Sequence, residues 1–216
     1  MNVLSATGLT CEKQDRILFE DLSLHINAGD LVLLRGENGA GKTSLLRILV
    51  GLSEAQSGNV VICGHDVHRD LNQASLHFIY FGHKLGVSGL LNPIENIAFW
   101  CQQHGLKLRH DEILLVLETL GLEGLETLAV KYLSQGQQRK VALAKLWITQ
   151  SGDSSLYQPK LWVLDEPFTA LDVSMVAMVE AKILNFLQSG GCVIMTSHQA
   201  VNLAYEQREF SLEYRW

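Results

Sequence analysis

The chain has 216 residues, 47% of them hydrophobic, with a formal charge of -6 and a pI near 5.7. That composition supplies a substantial core and excludes a disordered chain, and its acidic balance argues against a broad nucleic-acid surface, so no nucleic-acid partner is expected. The four cysteines, Cys11, Cys63, Cys101 and Cys192, form no Cys-x-x-Cys pair and suit a reducing compartment.

Met1 to Thr10 has neither a basic segment nor a long apolar stretch, so no secretory signal is expected, and no run approaches 18 uninterrupted apolar residues. Short apolar segments then follow at Val3 to Leu9, Ile17 to Phe19, Leu22 to Ile26 and Leu31 to Leu34, the pattern of a β-rich edge feeding a central strand. Ser44 to Val50 has a helical period that stops near Gly51, and Val60 to Cys63 and Leu76 to Phe81 read as further strands. From Pro93 to about Gln150 the period is helical, with Ile94, Ile97, Ala98 and Cys101 in one run and Ile113, Leu114, Val116, Leu117 and Leu120 in the next. After a loop at 151–159, Leu161 to Leu164 and Val193 to Thr196 are fully apolar strands of a parallel sheet, joined by a helix from about Val173 to Gln188.

The chemistry begins at Gly36-Glu37-Asn38-Gly39-Ala40-Gly41-Lys42-Thr43, between an apolar strand and the helical run that starts at Ser44. Strand, glycine-rich turn and helix in that order define a phosphate-binding loop: glycines let backbone N–H groups close on phosphate oxygens, and the helix N-terminus adds partial positive charge. Lys42 is then expected on the β- and γ-phosphates and Thr43 on Mg²⁺. At the end of a second buried strand, Asp165 fits a magnesium-holding carboxylate, directly or through water, and Glu166 fits a general base for the attacking water, a role that contributes about 10²- to 10⁴-fold.

Tyr132 to Lys140 opens a helix with Ser134 as N-cap and Gly136 in a first turn that an anion can approach. With Gln137, these residues resemble the Leu-Ser-Gly-Gly-Gln signature of ATP-binding cassette (ABC) ATPases, in the expected order relative to both phosphate-site segments. The resemblance covers essentially the whole chain. It implies an α/β fold with a P-loop NTPase core of ABC type, a β-rich N-terminal edge and an inserted helical subdomain: a single ABC domain over 1–216, with the core lobe at 1–82 and about 159–216 and the helical lobe at about 90–150. Within that family, Tyr80 to His83, the run 137–147 and Leu161 to Asp172 are similar to ATP-binding subunits of cytochrome c maturation systems.

The same resemblance implies further roles. Asp172, after Ala170-Leu171, looks like the acidic residue of the D-loop, and His198 like the switch histidine at the γ-phosphate. Gly36 to Ser44 with Ser134, Gly136, Gln137 and Asp172 form the nucleotide-binding set, Glu166 and His198 the catalytic pair, and Thr43 and Asp165 the magnesium ligands. Implied partners are a second copy of the chain, sandwiching two ATP molecules, and integral membrane permease subunits of a cytochrome c maturation complex at the cytoplasmic face of a bacterial inner membrane. ATP would power either haem export or release of a haem-loaded chaperone. The alternatives are the ATPase of another ABC transporter and a soluble ABC-type clamp.

Three departures stand out. His83 occupies the place where most cassettes carry a glutamine with a magnesium contact, Gln135 replaces the first signature glycine, and Cys11 to Asp15 lacks the aromatic that stacks on adenine, leaving Arg16 or hydrophobic neighbours. Neither Cys63, His65 and His68 nor His77 with His83 has the four-ligand spacing of a structural zinc site.

Overall fold

Two sheets and seven helices order the residues that the computed structural model describes, 1–148, 157–198 and 203–213. In chain order they are β1 (Asn2–Lys13), β2 (Arg16–Asn27), β3 (Leu31–Arg35), α1 (Lys42–Leu49), β4 (Ser57–Ile62), β5 (His65–Asp66), α2 (Leu71–Ala74), β6 (Phe78–Phe81), α3 (Pro93–Gln103), α4 (His110–Thr119), α5 (Gln135–Leu143), α6 (Lys145–Ile148), β7 (Leu161–Asp165), α7 (Val173–Gln188), β8 (Cys192–Thr196) and β9 (Gln207–Ser211). Contacts gather them into two compact units. One comprises Met1–His83, Pro159–Pro167 and Ile183–Trp216; the other comprises Lys84–Gln158 and Phe168–Lys182.

The first unit contains both sheets. An antiparallel sheet runs β2-β1-β4-β5, and a parallel sheet runs β6-β7-β8-β3-β9. Every residue of β7 and β8 is buried, which is why both read as apolar runs up to a single polar residue at the end, Asp165 and Thr196, rather than as alternating ones. Trp162 stacks on Phe186 with ring centroids 4.0 Å apart, a pair whose truncation to Ala costs about 3–5 kcal/mol. Leu45, Leu46, Ile48 and Leu49 of α1 are fully buried in the same apolar cluster as Val32, Leu34 and Val163. The helix therefore sits firmly on the core, with its N-terminus fixed at the end of β3.

Several boundaries differ from the sequence reading. The two segments expected at 17–19 and 22–26 form one strand, β2, whose pairing with β1 shifts register around Asp21, a residue with φ of 48°. The strand expected from Leu76 begins only at Phe78, because Ser75–His77 forms a 3₁₀ turn. Short β5 and α2, and the edge strand β9, were not legible as periodic runs. The loop at 151–159 lies in part outside the described residues.

The second unit is helical. Asn92 caps α3 with a reciprocal box, its side chain accepting from Glu95 N–H while Glu95 accepts from Asn92 N–H, both at 2.9 Å, and Pro93 takes the first helical position. Trp100, His104 and Tyr157 form an aromatic cluster, with Trp100 and His104 stacked at 4.2 Å.

Candidate functional site: a nucleotide pocket in the first unit

The turn between β3 and α1 is shaped by two close approaches. A Cβ on Gly36, at φ 145°, would lie 2.7 Å from Leu212 carbonyl oxygen, and one on Gly41, at φ 99°, would lie 3.1 Å from Leu18 Cβ. Only glycine fits both places without strain. Gly41 is the N-cap of α1 and offers no side-chain cap, and the first turn holds no acidic residue. The amides of Lys42, Thr43 and Ser44 are thus left to an anion, in the positive end of the helix field. Lys42 Nζ turns back onto the loop, donating to the carbonyls of Gly36 (2.6 Å) and Glu37 (3.0 Å). Ala40 is fully buried, and its N–H donates to Glu37 carbonyl at 3.2 Å, closing the turn.

A cavity of about 410 Å³ opens over this turn, lined by Asn38, Gly39, Gly41, Lys42, Thr43, Ser44, Glu166 and His198 and by Lys13, Gln14, Arg16 and Leu18 from the β1–β2 hairpin. Its size is in the range of small-ligand pockets. Eight of the residues predicted for nucleotide binding or catalysis are therefore brought to one place, although Glu166 and His198 are more than 120 positions from the loop in sequence. The hairpin wall carries two cations and Leu18 in place of an aromatic ring.

Asp165 ends β7 at 3% exposure, and both of its oxygens are engaged. Thr43 Oγ1 donates to Oδ2 at 2.8 Å, and Thr196 Oγ1 donates to Oδ1 at 2.7 Å. A threonine hydroxyl and a carboxylate oxygen in contact form a hard oxygen donor set suited to Mg²⁺. Glu166 follows with φ of 52°, a left-handed conformation costing an L-residue roughly 1–2 kcal/mol. Its N–H donates to Thr196 Oγ1 at 2.9 Å, and its Oε1 lies 2.9 Å from His198 Nε2. The strain turns the Glu166 side chain off the strand and into the pocket mouth, where it meets the imidazole.

Thr196 went unread as a site residue in the sequence. Its only signal was a hydroxyl closing an otherwise apolar strand, and at 1% exposure that hydroxyl must find buried partners. His83 is exposed just after β6 and is not among the residues lining the pocket. Among the described residues no three His, Cys, Asp or Glu side chains cluster as a metal site. His65 instead pairs with Asp70 at 3.2 Å and stacks on His77.

The signature residues belong to the second unit. Ser134 caps α5 reciprocally with Gln137: Ser134 Oγ accepts from Gln137 N–H at 3.2 Å, and Gln137 Oε1 accepts from Ser134 N–H at 2.9 Å. A Cβ on Gly136 would stand 2.9 Å from Ala170 carbonyl oxygen, so the bare first turn of α5 admits the backbone of the 170–172 loop. Asp172 accepts from Ser174 hydroxyl (2.6 Å) and Met175 N–H (2.8 Å), capping the start of α7. The Ser174 hydroxyl foremost, then the Met175 N–H and the charge of Lys140, hold the Asp172 carboxyl below the usual range.

A glycine-rich turn at the uncapped N-terminus of α1, a carboxylate pair at the end of β7 and a histidine on the second carboxylate have the arrangement of a P-loop ATPase. The chain belongs to the ABC transporter family, whose model matches residues 19–169. It is 40% identical to the cytochrome c biogenesis ATP-binding export protein CcmA of Hahella chejuensis, over 97% of this chain and 95% of that one. It is also 40% identical to the CcmA of Escherichia coli K12, over 94% and 93% of the two chains. A solved ATP-binding protein of a putative ABC transporter from Pyrococcus furiosus shares 25% identity with a TM-score of 0.75, covering 97% of this chain and 96% of that one. An ATP-binding cassette solved as a dimer with ADP and phosphate has the same fold, with a TM-score of 0.79 at 21% identity over 99% and 97% of the chains.

Proposed function

We propose that this chain is the ATP-hydrolysing subunit of an ABC-type membrane complex for c-type cytochrome biogenesis. The observation that carries the chemistry is the Glu166–His198 pair at 2.9 Å beside the open N-terminus of α1; the biological assignment is supported by 40% identity to CcmA proteins over nearly the whole chain.

In this reading the amides of Gly39 to Ser44 and the Lys42 ammonium hold the triphosphate, and Thr43 and Asp165 hold Mg²⁺, Asp165 directly or through water. When bound, Mg²⁺ offsets charge on the phosphate oxygens. Glu166 takes the proton of the attacking water, and His198 orients Glu166 and contacts the γ-phosphate. Ser134, Gly136 and Gln137 of one copy, with Asp172, complete the phosphate site of a second copy, so that two ATP molecules lie in a dimer interface. ATP favours the closed dimer and hydrolysis reopens it, a population shift set by differential affinity.

None of the described helices is long and apolar enough to cross a membrane. The proposed complex assigns membrane work to integral permease subunits and puts this chain at the cytoplasmic face of a bacterial inner membrane, a reading supported by the likeness to CcmA proteins. The energy drives haem export or release of a haem-loaded chaperone. Deleting the gene and complementing it with wild type or Lys42→Ala tests the assignment. Wild type restores covalently haem-bearing c-type cytochromes and Lys42→Ala does not; normal cytochrome c in the deletion strain refutes it. The intermediate that accumulates, unloaded or haem-loaded chaperone, separates the two energy uses.

A further inference from the structure

We infer that Thr196 is a positioning residue for hydrolysis, pinning the magnesium-side carboxylate and the general base at once through a single hydroxyl. This deepens the ATPase reading and rests on it.

Thr196 is the last residue of β8 and stands opposite Asp165 in the parallel register of β7 and β8. The rest of the strand, Cys192 to Met195, carries no hydroxyl, and all five residues are buried. A threonine hydroxyl has one proton to give and lone pairs to receive. Here it does both: the proton goes to Asp165 Oδ1 at 2.7 Å, and a lone pair receives Glu166 N–H at 2.9 Å.

Each bond acts on a different catalytic group. With Oδ1 taken by Thr196, the Asp165 carboxylate cannot rotate freely, and Oδ2 is the oxygen held toward Thr43 at 2.8 Å. With its N–H anchored, Glu166 keeps the left-handed backbone that aims its carboxylate at His198, two residues beyond Thr196. One side chain therefore ties the end of β7 to the end of β8 and sets the geometry of the carboxylate and histidine facing the pocket. Serine can make both bonds. Valine, nearly the same shape, can make neither and leaves two buried polar groups without this partner.

The test uses the full chain with Thr196→Val and Thr196→Ser, reading ATP turnover, ATP affinity and exchange of the Glu166 amide in the nucleotide-free protein. Thr196→Val is expected to lower kcat about 10- to 100-fold and speed Glu166 amide exchange by a similar factor, with ATP affinity within about threefold of wild type. Thr196→Ser is expected to stay within about threefold of wild type on all three. Wild-type kcat in the valine variant overturns the proposal, as does a serine variant as slow as valine, which would assign the effect to packing of the methyl group. Loss of ATP binding or of folding in the valine variant also overturns it, since the role would then be structural. Amide exchange is read without nucleotide, so a wild-type chain that hydrolyses no ATP defeats the functional reading separately from the hydrogen-bond pin.

Discussion

His198 Nε2 and Glu166 Oε1 lie 2.9 Å apart, joining residues that leave the ends of neighbouring parallel strands. Glu166 is largely shielded and His198 largely exposed, so the imidazole reaches from the solvent side to hold a carboxylate that is already turned by its backbone. His198→Ala removes that partner and, in the proposed mechanism, the imidazole that would contact the γ-phosphate. Turnover is expected to fall by about 10²-fold, with ATP affinity little changed, in steady-state phosphate release and nucleotide titration.

Lys42 spans the phosphate turn, its ammonium bonded to the Gly36 and Glu37 carbonyls. Those bonds show that it can sit at the centre of the turn, where a triphosphate would draw it outward. Removing a charge-assisted contact weakens binding by about 10- to 100-fold, so Lys42→Ala should raise the Kd for ATP by that factor in calorimetric titration. An unchanged Kd would remove Lys42 from the phosphate site.

Gly136 meets Ala170 carbonyl so closely that an added Cβ would stand 2.9 Å away, and Ala170 itself has φ of 58°. Gly136→Ala must displace either the first turn of α5 or the loop that leads to Asp172. We expect a loss of about 1–3 kcal/mol in denaturant unfolding. The same variant should also lose turnover, because Ser134 and Asp172 flank the displaced segments.

The aromatic cluster of the second unit is expected to make stability depend on pH. Burial foremost, aided by the charge of Lys145 and opposed by the hydrogen bond from Nδ1 to Trp100 carbonyl, holds His104 below its ordinary value of 6.5. The unfolded chain therefore takes up the proton first as pH falls. His104's contribution is fully present above pH 6.5 and is lost as pH drops through the lower folded value. His104→Phe keeps a ring against Trp100 and Tyr157 and should flatten that part of the curve in thermal melts taken from above the ordinary histidine value of 6.5 downward.

Local motifs were readable because their chemistry is local. Strand, glycine turn and helix follow one another at 31–49, and Ser134 was legible as the N-cap of α5, to which the structure adds the reciprocal bond from Gln137. The fully apolar runs at β7 and β8 marked the parallel sheet for the same reason. What escaped depended on pairing across distance. Thr196 acquires its importance from Asp165, 31 positions away, through the register of two strands. β9 reads as Gln-Arg-Glu-Phe-Ser and gives no apolar alternation, since as an edge strand it exposes most of its side chains and is held by backbone pairing to β3. The hairpin wall of Lys13, Gln14, Arg16 and Leu18 likewise becomes part of the pocket only when the β1–β2 turn is placed beside α1.

Glu166 provides the most direct measurement. In single-turnover hydrolysis by the full chain with Mg²⁺, Glu166→Gln should bind ATP with wild-type affinity and release phosphate about 10²- to 10⁴-fold more slowly. Phosphate release at the wild-type rate would contradict the assignment of this carboxylate as the base, and with it the account of the site.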